Sequence, residues 1–349
     1  MRLGVNLGYW GAGNDAENLH LAREADTLGY AVAWAAEAYG SDAATVLAWV
    51  AAQTTQIDVG SAIFQIPGRT PALTAMTAAT LDNLSGGRFR LGLGVSGPQV
   101  SEGWHGVRFD KPLARTREYV DVVKLALSRR KVQYDGEFFT LPLPDGPGKA
   151  LVLTVHPVRE QIPIYLAAIG PKNLELTGEI ADGWLAIFFA PEHADELTSH
   201  VAAGRAKVGK TLEGFDVVPT VPVVFGDDVA ACADPLRAYC SLYIGGMGSR
   251  EKNFYNQLAS RMGYEAAAAE VQDKYLARDY DGAGAAVPFE FIDRTALIGP
   301  RERVQERLHA YAAAGVTTLS VATYAPTLDE RLTTLRTMAE ILDASGLGD

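Results

Sequence analysis

Short apolar segments alternate with helix-patterned ones along almost the whole chain, and eight such alternations constrain the fold more than any other feature of the sequence. Residues 2–8 (RLGVNLG) precede a helical pattern over 15–28, where Leu19, Ala22, Ala25 and Leu28 share a face and Gly29 ends the run. Residues 31–36 (AVAWAA) precede a helix over 42–54, opened by Ser41 and Asp42, two good capping residues. The same succession follows with strands at 57–64, 89–95, 162–168, 183–189, 217–225 and 317–323, and helices at 71–84, 112–127, 170–181, 191–208, 300–314 and 328–342. Apolar strands separated by helices imply parallel pairing with right-handed crossovers, and eight units are the count of a closed (β/α)8 TIM barrel.

Two segments depart from the pattern, after the fourth and seventh strands. Residues 131–161 are rich in Pro and Gly, and their alternating apolar residues suggest a small hairpin packed over one end of the body. Residues 228–290 are alanine-rich and read as a helical insertion. Both are expected to belong to one domain spanning 1–349. On the helix at 112–127, Arg115, Arg117 and Glu118 read as a solvated face.

Charge and composition exclude several function classes. A net charge of −11 repels polyanions, so no nucleic-acid partner is expected, although a small phosphorylated ligand held by local N–H dipoles is compatible with it. The sequence has no apolar run of membrane-spanning length and no export pattern at its start, and Cys232 and Cys240 suit neither a disulfide framework nor a metal clip; a cytoplasmic protein is expected. The six histidines are scattered, without HxH or HExxH spacing, so no metal site is expected. A GxSxG nucleophile elbow is also lacking.

In such a barrel the site lies at the carboxyl ends of the strands. These ends carry Tyr9, Glu37 to Tyr39, Ala62 to Phe64, Ser96 and Gly97, Ala167 to Gly170, and Phe188, which together describe a large, mostly apolar cleft suited to a flat ring system. Glu37 is the most informative acid. It ends an apolar strand and would either face the cleft as a proton donor or acceptor, or bond to backbone at the barrel top. Tyr9 and Tyr39 are weaker proton-donor candidates. Gly170 and Pro171 open a helix whose first N–H groups would form an anion site. Gly92-x-Gly94-x-x-Gly97 resembles a dinucleotide fingerprint, but it lies in the fourth strand and lacks the ribose-binding acid at the expected spacing.

Four stretches taken together, WAAEAYGSDA (34–43), VGSAIFQIPGRTPALTAMTAATLDNLSGGRF (59–89), LGLGVSGPQVSEGWHG (91–106) and IPIYLAAIGPKNLELTGEIADGW (162–184), resemble the luciferase-like superfamily, in its branch dependent on the deazaflavin coenzyme F420. The resemblance implies an insertion over the cofactor pocket and a non-prolyl cis peptide at Ala62-Ile63. It also implies a ring resting against Glu37, Ala62, Ile63, Ser96 and Gly97, with the phosphate near Ala167, Ala168, Ile169, Gly170 and Pro171, and Gln99 and Val100 close by. Glu37 would take the proton role, with Tyr9 and Tyr39 as second choices. Relatives that oxidise alcohols or sugar phosphates commonly have a histidine after the acid ending strand two; Ala38 stands there, which favours reduction of a C=C, C=N or C=O bond in a small, uncharged substrate. The alternatives are an FMN-dependent monooxygenase and a non-catalytic flavin- or deazaflavin-binding protein. The apolar helix faces permit a homodimer.

Overall fold

The eight apolar segments form the eight strands of a closed barrel in the computed structural model of the chain, which describes residues 1–10 and 15–348. The strands are β1 (Arg2–Asn6), β2 (Val32–Ala35), β3 (Asp58–Ser61), β4 (Phe89–Gly94), β5 (Ile164–Ala167), β6 (Gly183–Ile187), β7 (Asp216–Phe225) and β8 (Thr318–Thr323). Each pairs in parallel with the next, and β8 closes onto β1 in a register that sets Arg2 opposite Thr318. Two short pieces supplement them. Residues Phe64–Gln65 pair with the end of β4, and Leu297–Gly299 add a parallel partner to the end of β7. The latter was not expected, because three residues are too few to carry a period.

The outer layer contains α1 (Asp15–Thr27), α2 (Ala43–Gln53), α3 (Pro71–Ser85), α4 (Pro98–Gly103), α5 (Pro112–Leu127), α6 (Pro171–Ile180) and α7 (Ala194–Lys207). Their ends follow the sequence signals. The Asp42 side chain accepts from Thr45 N to cap α2, Thr70 and Pro71 open α3, and Gly86 at φ 70° closes α3. The main core lies between strands and helices, where Leu47, Ile57 and Leu91 are fully buried, each contributing on the order of 1.5–3 kcal/mol.

At the amino ends of the strands the barrel is plugged by ions. Arg90 Nε donates to Asp58 at 2.7 Å, its Nη1 to Asp216 at 3.2 Å and to Tyr165 at 3.1 Å, while Thr318 donates to Asp216 at 2.8 Å. This closes the lower end and leaves the upper end for a ligand.

Within the segment 131–161, Tyr134–Asp135 pair with Thr140–Leu141 in a two-stranded hairpin that is held against α5. Glu118 accepts from the N–H groups of Glu137, Phe138 and Phe139, and Arg115 stacks 4.6 Å from the Phe138 ring. Arg117 pairs bidentately with Glu179 of α6 at 2.6–2.7 Å. The charges read as a solvated face therefore hold neighbouring elements, which one helix's periodicity cannot reveal.

Between β7 and Leu297 the chain builds α8 (Val229–Ser241), α9 (Phe254–Ala259), α10 (Glu265–Leu276), α11 (Tyr280–Ala285) and α12 (Phe289–Thr295), with π-helical turns at Leu242–Gly246 and Ser260–Tyr264. Phe188, Leu236, Ile244, Leu258, Val271 and Phe291 give this insertion its own core, joined to the barrel at Phe188. The chain then adds α13 (Arg301–Ala313) and α14 (Leu328–Ser345). Among the described residues no helix is long and apolar enough to cross a membrane, and no His/Cys/Asp/Glu group could hold a metal ion.

Candidate functional site

The wall formed by β2 to β5 is made of small residues brought into contact with backbone. A Cβ at Gly92 would lie 1.8 Å from the Ser61 carbonyl oxygen, so only glycine lets β3 approach β4 here; Ser61 Oγ also donates to Gly92 O at 2.8 Å. Beyond Ser61 the Ala62-Ile63 peptide is cis. Ile63 then lies against Gly94, where a Cβ would meet its Cδ1 at 2.9 Å and Ala167 Cβ at 3.6 Å. Ala62, Ile63, Gly94 and Ala167 thus form one shallow surface across three strand ends.

Ser96 continues this surface with a left-handed φ of 62°. Such a backbone persists where surroundings hold it, and strained positions cluster at functional sites. Here the Gln65 side chain holds it, donating from Nε2 to Ser96 Oγ at 3.0 Å, while Gln65 Oε1 bonds His105 Nε2 at 2.9 Å. Neither Gln65 nor His105 was singled out in the sequence, because their pairing spans 40 residues.

Glu37 occupies the second of its two expected settings. Arg69 Nη2 donates to its Oε2 at 2.7 Å, the Ala43 N–H donates to the same oxygen at 3.1 Å, and Gln65 N reaches Oε1 at 3.5 Å. Arg69 also pairs with Asp42 and stacks 4.6 Å from the Phe64 ring. Burial pushes the Asp42 carboxyl up, but the Thr45 and Arg69 contacts outweigh it and hold the group below the usual range. Glu37 is therefore an engaged carboxylate that fixes the turn between β2 and α2. Arg69, the partner that makes the difference, lies 32 residues away.

Past β5 the carbonyls are engaged by side chains. Asn173 Nδ2 donates to Ala167 O at 3.3 Å, Trp184 Nε1 to Ala168 O at 2.9 Å, and Arg261 of the insertion to Ile169 O at 3.1 Å. Gly170 caps α6 without a side-chain bond, and Pro171 has no N–H to offer. The Leu174 N–H returns to Gly170 O, leaving the Lys172 and Asn173 N–H groups with no acceptor among the described residues. A helix start in this state fits a phosphate. Trp184 fixes this turn as well.

Gln99 and Val100 lie in α4, beside Ser96 and Gly97. Gln99 Nε2 donates to Gly248 O of the insertion at 2.9 Å, so its side chain ties the fourth-strand loop to the insertion rather than extending freely toward a cofactor.

The other half of the mouth is aromatic. Phe188, at φ 50° after β6, packs with ring centroids 5.4, 5.8 and 6.4 Å from Tyr239, Tyr243 and Tyr255. Tyr239 also meets Tyr324, just past β8, at 5.5 Å. Tyr9, just past β1 and itself 46% exposed, interacts through its hydroxyl with Tyr243, and desolvation at that end pushes its phenol up despite the contact. Its companion Tyr39 is 65% exposed on the rim. Tyr324 was not singled out in the sequence, although its place directly after an apolar strand is the signal that could have marked it; Tyr239, Tyr243 and Tyr255 lie in the insertion, with no local signal to aim them at the barrel.

Comparison with known proteins agrees with this geometry. The profile of the luciferase-like monooxygenase family matches residues 6–318. A Mycobacterium tuberculosis protein named as a coenzyme F420-dependent oxidoreductase is 43% identical over 328 residues, covering 92% of this chain and 94% of its own. The 5,10-methylenetetrahydromethanopterin reductase of Archaeoglobus fulgidus is 29% identical over 297 residues, covering 84% and 85%. The structure of the coenzyme F420-dependent tetrahydromethanopterin reductase from Methanopyrus kandleri superposes with a TM-score of 0.82 at 23% identity, covering 97% of both chains. With a closed eight-stranded barrel, its strand-end site and a family match over most of its length, the chain belongs to the luciferase-like monooxygenase family.

Proposed function

We propose that this protein is an F420-dependent oxidoreductase that reduces a C=C, C=N or C=O bond in a small, uncharged organic substrate. The observation that carries the reading is the continuity of the small-residue wall, Ala62, Ile63, Gly94 and Ala167, with the acceptor-free N–H groups at the start of α6: a flat ring on one and a phosphate on the other are the two parts of a deazaflavin cofactor. Glu37, Ala62, Ile63, Ser96 and Gly97 would border the ring. Ala167, Ala168, Ile169, Gly170 and Pro171 would border the phosphate, with Gln99 and Val100 beside them. The identity to the Mycobacterium tuberculosis relative supports F420 over FMN.

When bound, the deazaflavin supplies a hydride, a two-electron chemistry that flavin oxygen activation does not share. The chain's own contribution is placement and a proton. Glu37 acts through Arg69 as a positioning residue. Tyr9, with its hydroxyl in the mouth and its pKa raised, holds a proton at neutral pH and takes the proton role, with Tyr39 as a rim alternative. Substrate charge is disfavoured because Arg69 is neutralised by Glu37 and Asp42.

Residues 1–349 are proposed to act as one domain. A homodimer is proposed on the outer faces of α2 and α3, where Trp49, Leu73, Met76 and Leu84 are 43–62% exposed and no charged side chain interrupts them. A cytoplasmic setting suits the two unpaired cysteines. Fluorescence titration with F420 and with FMN tests the cofactor, and tighter FMN binding overturns this reading. Sedimentation of Met76→Glu against the parent tests the dimer.

A further inference from the structure

The aromatic half of the mouth carries polar groups that the protein does not use. The hydroxyls of Tyr239, Tyr255 and Tyr324 make no hydrogen bond to a described residue, yet none is a sealed, orphaned atom like Tyr264 Oη, so they open onto space. Elsewhere in this protein tyrosine hydroxyls are paired where they are buried: Tyr30 with Leu335 O at 2.9 Å, Tyr165 with Asp216 at 2.9 Å, Tyr311 with Phe189 O at 3.1 Å. The contrast marks the open hydroxyls as donors awaiting a guest.

Topology sets these groups opposite the cofactor wall. The strand circle runs β1 to β8; the small-residue wall occupies β2 to β5, and the tyrosines enter from the ends of β1 and β8 and from the insertion, around Phe188 of β6. Tyr243 is delivered by the π-helical turn Leu242–Gly246, a type of local irregularity common at functional sites. Burial is the largest influence on these phenols and raises all of them; the neighbours that also act on them are one another, Tyr9 and the Cys240 thiol, with no carboxylate or cation among them. They are therefore neutral donors, in a setting that penalises an ionic guest.

We propose that the chamber walled by Phe188, Tyr239, Tyr243, Tyr255, Tyr324 and Tyr9 is the substrate subsite, that it takes a neutral cyclic carbonyl compound, and that the unpaired Tyr324 hydroxyl donates to the carbonyl oxygen. This rests on the cofactor reading above, which puts the ring on the facing wall. Rings of the guest stack against aromatic side chains, and its oxygen replaces the water that the open hydroxyls would otherwise bind.

The test is saturation-transfer NMR titration with cyclohex-2-en-1-one and with benzoate as the charged counterpart, using protein first titrated with F420. The parent is expected to bind the enone and to reject benzoate. Loss of the donor in Tyr324→Phe should weaken the enone about fivefold, the size of a single hydrogen bond, with F420 affinity unchanged. Tyr255→Phe provides a second variant, with a smaller loss. Equal binding of the enone by parent and both variants, or benzoate binding as tight as the enone, overturns the proposal. Failure of F420 to bind the parent overturns the cofactor reading instead, and the enone titration still reports on the chamber.

Discussion

The two halves of the barrel mouth are built on opposite plans. From β2 to β5 the wall is backbone and small side chains, and its polar groups are already paired within the protein: Glu37 with Arg69, Gln65 with Ser96 and His105, Trp184 with Ala168 O. From β6 round to β1 the wall is large aromatic rings whose hydroxyls are largely unpaired. A wall without unmet polar needs recognises a ligand by shape and by a few N–H groups, which suits one invariant cofactor. A wall of open hydroxyls on aromatic rings accepts guests that differ in detail, which suits a substrate. Each half carries one strained non-glycine residue, Ser96 at φ 62° and Phe188 at φ 50°, so both are held in shape by their surroundings.

Gly94→Val should break the first half and spare the second. The added Cβ would already lie 2.9 Å from Ile63 Cδ1, and overpacking costs about 1–3 kcal/mol, so F420 affinity should fall roughly 10- to 100-fold by fluorescence titration. Binding of cyclohexenone to the cofactor-free protein should be unchanged. A parallel fall in both affinities would mean that the halves are one surface.

Alkaline pH should act on the second half. In the unfolded chain phenols ionise near about pH 10, whereas burial raises those of Tyr239, Tyr243 and Tyr255 in the folded protein. Above about pH 10 unfolding therefore releases protons, and stability falls by at most about 1.4 kcal/mol per pH unit for each phenol; below that pH their contribution is fully present. Urea denaturation from pH 9 to 11.5 measures the slope, and Tyr239→Phe/Tyr255→Phe should flatten it. An unchanged slope in the double variant would place the alkaline sensitivity elsewhere.

The halves also differed in how far sequence could reach them. All eight strands, and the surface along Ala62, Ser96 and Gly170, followed from periodicity, glycine placement and strand-end position, which are local properties. Partners were not legible. Nothing near Glu37 announces Arg69, and nothing in the alanine-rich insertion sends Tyr243 to meet Tyr9 across 234 residues, because such contacts depend on how an irregular segment folds back. Tyr324 was missed although its place directly after β8 could have marked it by the same rule that marked Tyr9.

Glu37→Gln sharpens the role of the engaged carboxylate. Orphaning a buried charge costs about 3–5 kcal/mol, but Asp42 remains beside Arg69 and is itself half-exposed, so a loss of about 1–2 kcal/mol is expected in chemical denaturation. F420 affinity should fall less than about tenfold. If instead stability and F420 binding are preserved while turnover is lost, Glu37 is the proton donor and Tyr9 is not.

The smallest effect concerns a contact by which the insertion that carries Tyr243 grips the fourth-strand loop. Gln99 Nε2 donates to Gly248 O at 2.9 Å, and Gly248 lies five residues after Tyr243. Removing one partly buried hydrogen bond costs about 0.5–1.5 kcal/mol, so Gln99→Ala should leave global stability nearly unchanged while speeding amide exchange around Gly248. If the halves are independent, F420 affinity shifts slightly and cyclohexenone affinity does not move. If the bond couples them, Gln99→Ala weakens the enone as well, and cofactor-loaded protein should then bind the enone more tightly than free protein by the same factor, since coupling between two ligands is reciprocal. That equality separates a mechanical link through Gly248 from general loosening of the insertion, which would weaken the enone equally with and without the cofactor.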